Sequence, residues 1–301
     1  MESDPLMKLD DLTASAYFAG WRIVRWLPEK SAYRLFDFLA DRVSHKGGKS
    51  FQRLEGNLRR VVPNLSNEEL RILAQAGMRS YLRYWCDTFR SPDWNKDRIQ
   101  STVTVNDVEL LLEPVRSKRG VVVALPHAGN WDHAGSFFCS QGLALVTVVE
   151  RLKPEKLFAK FLEYRTAIGM EALPLDGRVM GTLASRLREG KLVALVADRD
   201  LSNSGIDVKF FGGTARMPAG PALLAIRTGA DLLTAFVSYT AEGIHIDFRK
   251  VEIAAGVDES EKVRNTVQVC ADNFAIGISE HPEDWHMLQR IWVDGDFVER
   301  T

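Results

Sequence analysis

The sequence predicts an α/β fold, with a mixed, mainly parallel central sheet flanked by helices and an N-terminal helical cap. Three observations carry that prediction. From about residue 103, short apolar runs rich in β-branched residues alternate with stretches of helical period, the pattern of strand–helix crossover units. Residues 11–92 are helical in period throughout. The last two strand-like runs are joined only by Ala241-Glu242-Gly243, a hairpin connection that makes the sheet mixed. No repeat, low-complexity stretch or flexible linker interrupts the chain. Residues 1–301 therefore read as one domain, a helical region at 11–92 and an α/β core at 103–301.

In the helical region, Tyr17, Phe18, Trp21 and Val24 give one apolar face, with Arg22 and Arg25 off it. Pro28 ends that segment. A second helix is predicted over 31–42, where Leu35, Phe36, Phe38 and Leu39 are apolar, and Gly47-Gly48 breaks it. Ser66-Asn67-Glu68-Glu69 has the form of a capping box. The long helix behind it carries Tyr81, Tyr84, Trp85 and Phe89 and stops at Pro92. In the core, strands are predicted at 121–125, 143–150, 170–175, 192–197, 207–211, 232–239 and 244–251. Helices are predicted at 131–141, 154–168, 179–189, 218–228 and 259–279. The unbroken run Val121-Val122-Val123-Ala124-Leu125 suits a strand buried on both faces. Pro126 stops it, and Gly129-Asn130 supplies a turn followed by a helix N-cap.

Composition, 46% hydrophobic and 26% charged, is that of a folded globular protein. Cys86, Cys139 and Cys270 are odd in number and widely spaced, which points to a reducing compartment without a disulfide framework. The acidic opening Met1-Glu2-Ser3-Asp4 is unlike a signal peptide, and no run approaches the length of a membrane span. The expected location is the cytosol or, peripherally, the cytoplasmic face of a membrane. The formal net charge of −1 conceals an asymmetry: Gly20 to Arg60 holds ten Lys or Arg against four Asp or Glu, whereas the tail from Pro282 is acidic. One side of the molecule is thus suited to an anionic membrane surface. No nucleic-acid partner is expected.

His127 stands just past the carboxyl end of the first core strand, where open α/β sheets place their chemistry, and Asp132 follows five positions later. With a turn between them the two side chains can converge, although a loop histidine beside a capping aspartate accounts for the pair equally simply. Asp198, in Leu195-Val196-Ala197-Asp198-Arg199-Asp200, ends a second apolar strand in the same way. If the two strands are parallel, Asp198 shares a rim with His127 and can hold the imidazole tautomer; a surface ion-pair cluster is the plainer alternative. Gly212-Gly213, Arg216 and Pro218, the last placed for the first turn of a helix, suggest a turn that binds an anion or a developing oxyanion, or else an ordinary packed turn. Two cations after a strand, Arg151 and Lys153, and Arg165 on the next helix suit phosphates or a solvated helix start. His286 sits between Trp285 and Met287, as a core histidine would. Nucleophile-elbow, dinucleotide, P-loop and zincin patterns are absent. His127, Asp132 and His133 lack the further ligands of a metal site, so neither a metal nor a resident cofactor is expected.

Taken in order, these stretches resemble the H-x4-D lysophospholipid acyltransferase superfamily. The resemblance is greatest to its lipid A late acyltransferase branch, in particular the actinobacterial phosphatidylinositol mannoside acyltransferases. It runs from Ala19-Gly20-Trp21-Arg22 through 81–90, 125–135, 150–155, 163–165, 197–201 and 210–222 to 281–289. The resemblance implies transfer of an acyl chain, typically palmitoyl, from acyl-CoA to the 6-hydroxyl of the mannose on inositol position 2 of a phosphatidylinositol mono- or dimannoside. It implies His127 as general base and position 198 as its acidic partner, an aspartate where the mannoside enzymes carry glutamate. Asp132 would orient His127 or hold the loop through His286, with Asp200 nearby in support. Glu150 and Arg165, with Asn130, would lie near the acceptor or thioester, and Arg216, with Gly212 and Pro218, at the anion-binding turn. A base at His127 fits an alcohol that must lose its proton as it attacks a thioester. The 17–27 helix is a candidate interfacial helix or, alternatively, a core helix. A lipid or thioester hydrolase using the same pair, and a non-enzymatic lipid-binding module, remain open on sequence alone.

Overall fold

The computed structural model describes residues 20–149, 155–200, 202 and 204–294. Helix α1 (20–26) packs Trp21 and Val24 inward, the Trp21 indole N–H reaching the Phe89 carbonyl at 2.8 Å. Helix α2 (Glu29–Lys46) buries Ala32, Phe36, Ala40 and Ser44, a four-residue repeat of mostly small side chains that seats it against α4 (Asn67–Arg90). Between them lies α3 (Lys49–Val61), whose Phe51, Leu54 and Leu58 fill a core with Ala40, Leu70, Ala74 and Met78. The predicted capping box opens α4: Ser66 Oγ accepts from the Glu69 N–H at 3.2 Å, and the Glu69 carboxylate accepts from the Ser66 N–H at 2.8 Å.

The α/β part follows as α5 (Lys96–Ser101), β1 (Val103–Asn106), α6 (Glu109–Arg116), β2 (Val121–Leu125), α7 (Trp131–Ser140), β3 (Leu145–Val149), α8 (Glu155–Ala167), β4 (Glu171–Pro174), α9 (Val179–Arg188), β5 (Leu192–Val196), β6 (Ile206–Phe210), β7 (Gly213–Met217), α10 (Gly220–Thr228), β8 (Asp231–Tyr239), β9 (Ile244–Val251) and α11 (Glu259–Glu280). Seven strands form the sheet in the order β1-β9-β8-β2-β5-β3-β4, and every neighbouring pair is parallel except β8–β9. The mixed, mainly parallel sheet is therefore the one the sequence predicts. β2 lies at its centre, buried at all five positions. Val122 and Ala124 face α9, α10 and α11, whereas Val121, Val123 and Leu125 face α6 and α7.

The structure departs from the sequence expectation at 210–222 and bears on the alternatives left for the 17–27 helix. The 210–222 stretch is not a turn leading into a helix at Pro218. Phe211 and Gly212, at φ 42° and 72°, make a two-residue turn between β6 and β7, which pair antiparallel. Pro218 precedes the helix; α10 begins at Gly220 and has Pro221 in its first turn. The Trp21/Val24 stripe of the candidate interfacial helix packs into the core, while Tyr17 and Phe18 lie outside the described residues.

Candidate active site

β2 and β5 run parallel with Leu125 opposite Val196, and each strand is followed two residues later by a polar side chain. Level strand ends thus bring His127 and Asp198 together. His127 Nδ1 lies 2.6 Å from Asp198 Oδ1, and the His127 backbone N–H donates to Oδ2 at 3.0 Å. Oδ2 also accepts from the Trp285 indole N–H at 3.0 Å, and Asp198 is wholly buried. Burial alone would raise this carboxyl; the imidazole and the two N–H donors hold it below the usual carboxylate range. A carboxylate on Nδ1 selects the Nδ1–H tautomer, which leaves Nε2 as a base. The His127 side chain is 39% exposed, and among the described residues Nε2 has no partner. The aspartate, one methylene shorter than glutamate, reaches its histidine directly.

The loop carrying His127 is clamped by the C-terminal segment. The His286 N–H donates to the His127 carbonyl at 2.7 Å, the Gly129 N–H donates to the Asp284 carbonyl at 2.9 Å, and Ala128 pairs with Trp285 between them. Asp284 is held in turn by Ser80 Oγ at 2.6 Å and the Tyr239 N–H at 2.7 Å. Gly129 sits at φ +55°, and a Cβ there would collide with the Val237 carbonyl. Asn130 caps α7, its Oδ1 accepting from the His133 N–H at 2.9 Å and its amide donating to buried Asp87 at 3.2 Å. Asp87 also accepts from Tyr33 at 2.7 Å and Tyr239 at 3.2 Å, so it ties α2, α4 and β8 to the loop.

Among the described residues Asp132 makes no hydrogen bond to His127, although the spacing allows the two to converge. In the first turn of α7, it accepts from Arg165 Nε at 3.0 Å and Nη2 at 3.3 Å, and from the Tyr84 hydroxyl at 2.9 Å. The motif carboxylate is an anchor for Arg165. Burial would weaken that guanidinium, and Asp132 beside it keeps it firmly charged. His286 does not bridge Asp132 to the histidine either: its Nε2 contacts Ser80 Oγ at 2.9 Å, and burial drives its ring down to about 3. Asn130, nearly solvent-free, serves as the cap of α7 and has both ends of its amide engaged. Arg216 pairs with Asp207 at 2.6 Å across the hairpin, and Asp200 caps the Ser202 N–H at 2.8 Å. Among the described residues, no hydrogen bond links Arg216, Asp200, Gly212 or Pro218 to His127 or Asp198. Glu150, Arg151 and Lys153 lie outside the described residues.

Trp131 stands edge-on to the His127 ring at 5.7 Å between centroids and lines a cavity between the sheet and the α6/α7 layer. That space, about 660 Å³ including its solvent-open part, is polar at Asp132 and Arg165 and otherwise walled by side chains such as Val123, Leu125, Val196 and Val237. Sequence reasoning did not single out Trp285 or Tyr84 as part of the site. Each is a buried aromatic whose polar atom must find a partner, which marks them as ligands of some carboxylate without saying which.

An imidazole–carboxylate pair thus stands at the rim of an α/β sheet, with Trp131 between its histidine and the cavity. Residues 3–293 match the bacterial lipid A biosynthesis acyltransferase family, and the chain belongs to that family. It is 40% identical over 286 residues to the phosphatidylinositol mannoside acyltransferase of Mycolicibacterium smegmatis, covering 94% of this chain and 92% of the relative. It is 39% identical to the protein of the same name from Mycobacterium tuberculosis H37Rv, covering 92% and 88%.

Proposed function

We propose that this acyltransferase moves a palmitoyl chain from acyl-CoA to the 6-hydroxyl of the inositol-2-linked mannose of a phosphatidylinositol mono- or dimannoside, working on the cytoplasmic face of the membrane. The observation that carries the reading is the His127–Asp198 pair with an unengaged Nε2 beside the apolar cavity. Nε2 takes the hydroxyl proton as the mannose oxygen bonds to the thioester carbonyl carbon. The C–S bond then breaks, and CoA leaves with the proton returned from the imidazolium. Asp198 stabilises that cation through Nδ1–H, and no acyl-enzyme is required. The acyl tail occupies the cavity, with Arg165 fixed at its polar end by Asp132.

The acceptor lipid requires the enzyme to reach a bilayer, and the outward faces of α1 and α2 suit that contact. Ile23, Trp26, Leu35, Phe38, Leu39 and Val43 are exposed there, Trp26 at 92%, among exposed Arg22, Arg34, Arg42 and Lys46. No helix among the described residues is long and apolar enough to cross a membrane. The test is incubation of purified protein with palmitoyl-CoA and mannoside acceptors in mixed vesicles, followed by mass analysis of the lipid. Acceptor carrying one added palmitoyl, absent with His127→Ala, is expected. Free palmitate formed at one rate with and without acceptor would replace the transferase reading by a hydrolase.

A further inference from the structure

We propose that Met170, lodged against Gly135 of α7, forms the floor of the cavity and sets the length of acyl chain that this enzyme accepts. The inference rests on the reading of that cavity as the acyl slot. Leu125, Val196 and Val237 line the cavity at the strand ends next to His127, and Leu192 and Leu145 line it at the opposite ends of β5 and β3. Leu145 pairs with Leu192, so the slot follows four residues of strand, about 13 Å. Helix α7 runs down its side, with Trp131 at the mouth, Gly135 one turn below and Phe138 nearly another turn further on.

Met170 immediately precedes β4, whose first residue pairs with Val146, which puts Met170 level with Leu145 at the deep end. It is buried, and its thioether uses the space that glycine leaves on the helix. A Cβ at Gly135 would overlap the Met170 methyl and stand 3.3 Å from its sulfur and 3.5 Å from Leu145 Cδ1. The helix backbone at Gly135 lies against the thioether, and Leu145 stands beside the same glycine. The open space beside Met170 is the slot itself. A methionine has three side-chain torsions and shifts readily, so a methyl group added at Gly135 pushes the thioether into the slot, whereas removal of the thioether deepens it.

The two changes therefore act in opposite directions on one property. The experiment supplies the full-length enzyme with an equal mixture of even-numbered saturated acyl-CoAs and one mannoside acceptor, and reads the chain-length distribution in the acylated product. Met170→Ala is expected to move the optimum to longer chains and Gly135→Ala to shorter ones, while Gly135→Ala/Met170→Ala follows Met170→Ala in direction. Each even-numbered step that is newly accommodated or newly excluded changes the kcat/KM ratio of neighbouring chains roughly 15-fold, from the burial of two methylenes. Should Gly135→Ala fail to fold, Met170→Ala carries the test alone. Product distributions that stay at the wild-type optimum would overturn the role of Met170 and leave the acyltransferase reading intact. A shift of both single variants in the same direction overturns it as well. Wild-type enzyme that acylates the acceptor with no chain at all would bring down the underlying reading, and this inference with it.

Discussion

Asp198 commits both oxygens to fixed donors, two on His127 and one on Trp285, and this leaves the exposed ring nitrogen of His127 free to take a proton. Substituting His127→Ala is expected to lower kcat about a thousandfold or more, with an unchanged circular dichroism spectrum. Asp198→Asn should cost less, because the ring keeps its place in the clamped loop while losing its charge partner. The motif carboxylate behaves differently. Asp132→Asn strands the Arg165 guanidinium, which has 14% of its side chain exposed, so urea unfolding should report a loss of about 3–5 kcal/mol. The pH dependence of the activity that remains should match the wild type, since the His127–Asp198 pair is untouched. Equal effects of Asp132→Asn and Asp198→Asn on the pH profile would contradict this division of labour.

Helix α2 has two apolar faces. One, built on Ala32, Phe36, Ala40 and Ser44, packs on α4; the other shows Leu35, Phe38, Leu39 and Val43 to solvent. A triple change of Leu35, Phe38 and Leu39 to serine should weaken sedimentation with anionic vesicles roughly tenfold or more while the helix stays seated through its other face. Unaltered vesicle binding would show that another surface meets the lipid. The sequence marked these residues as apolar without revealing their direction, because a helix apolar on two sides has no single periodic answer. The strands were legible since buried parallel strands are short apolar runs, and the β8–β9 hairpin was legible from its turn. Two strands escaped for physical reasons. β7 begins at a glycine and carries Arg216, which reads as loop chemistry until β6 is laid beside it. β1 is half-exposed on an edge and has no apolar run to announce it.

Across the whole molecule, the candidate site joins segments that are far apart in the chain. His127 and Asp198 were found in sequence because each ends a strand, and level parallel strands meet at their ends. The clamp from residues 284–286 and the Asp132–Arg165 pair depend on how the C-terminal segment and α8 return to the sheet, which no local pattern encodes. That closure also buries His286 in neutral form, with consequences for stability. Its folded value, about 3, lies below the ordinary 6.5. As pH falls from 6.5 toward 3 the unfolded chain takes a proton that the folded chain refuses, so stability present above 6.5 is lost on acidification. The slope from this one group is about 1.4 kcal/mol per pH unit. Asp87 and Asp284, raised by burial, act in the opposite sense but are shared with a His286→Gln variant. The stability gap between wild type and variant should therefore narrow by about that slope between pH 6 and 4 in denaturant titrations; a constant gap would mean that the ring titrates freely in the native state. A tight constraint within the site lies at Gly129, where the backbone turns left-handed against the Val237 carbonyl. A saturation library at that codon, sorted for turnover, should return the parental residue alone, so descendants of this enzyme have no neutral path through position 129 and must diversify around it.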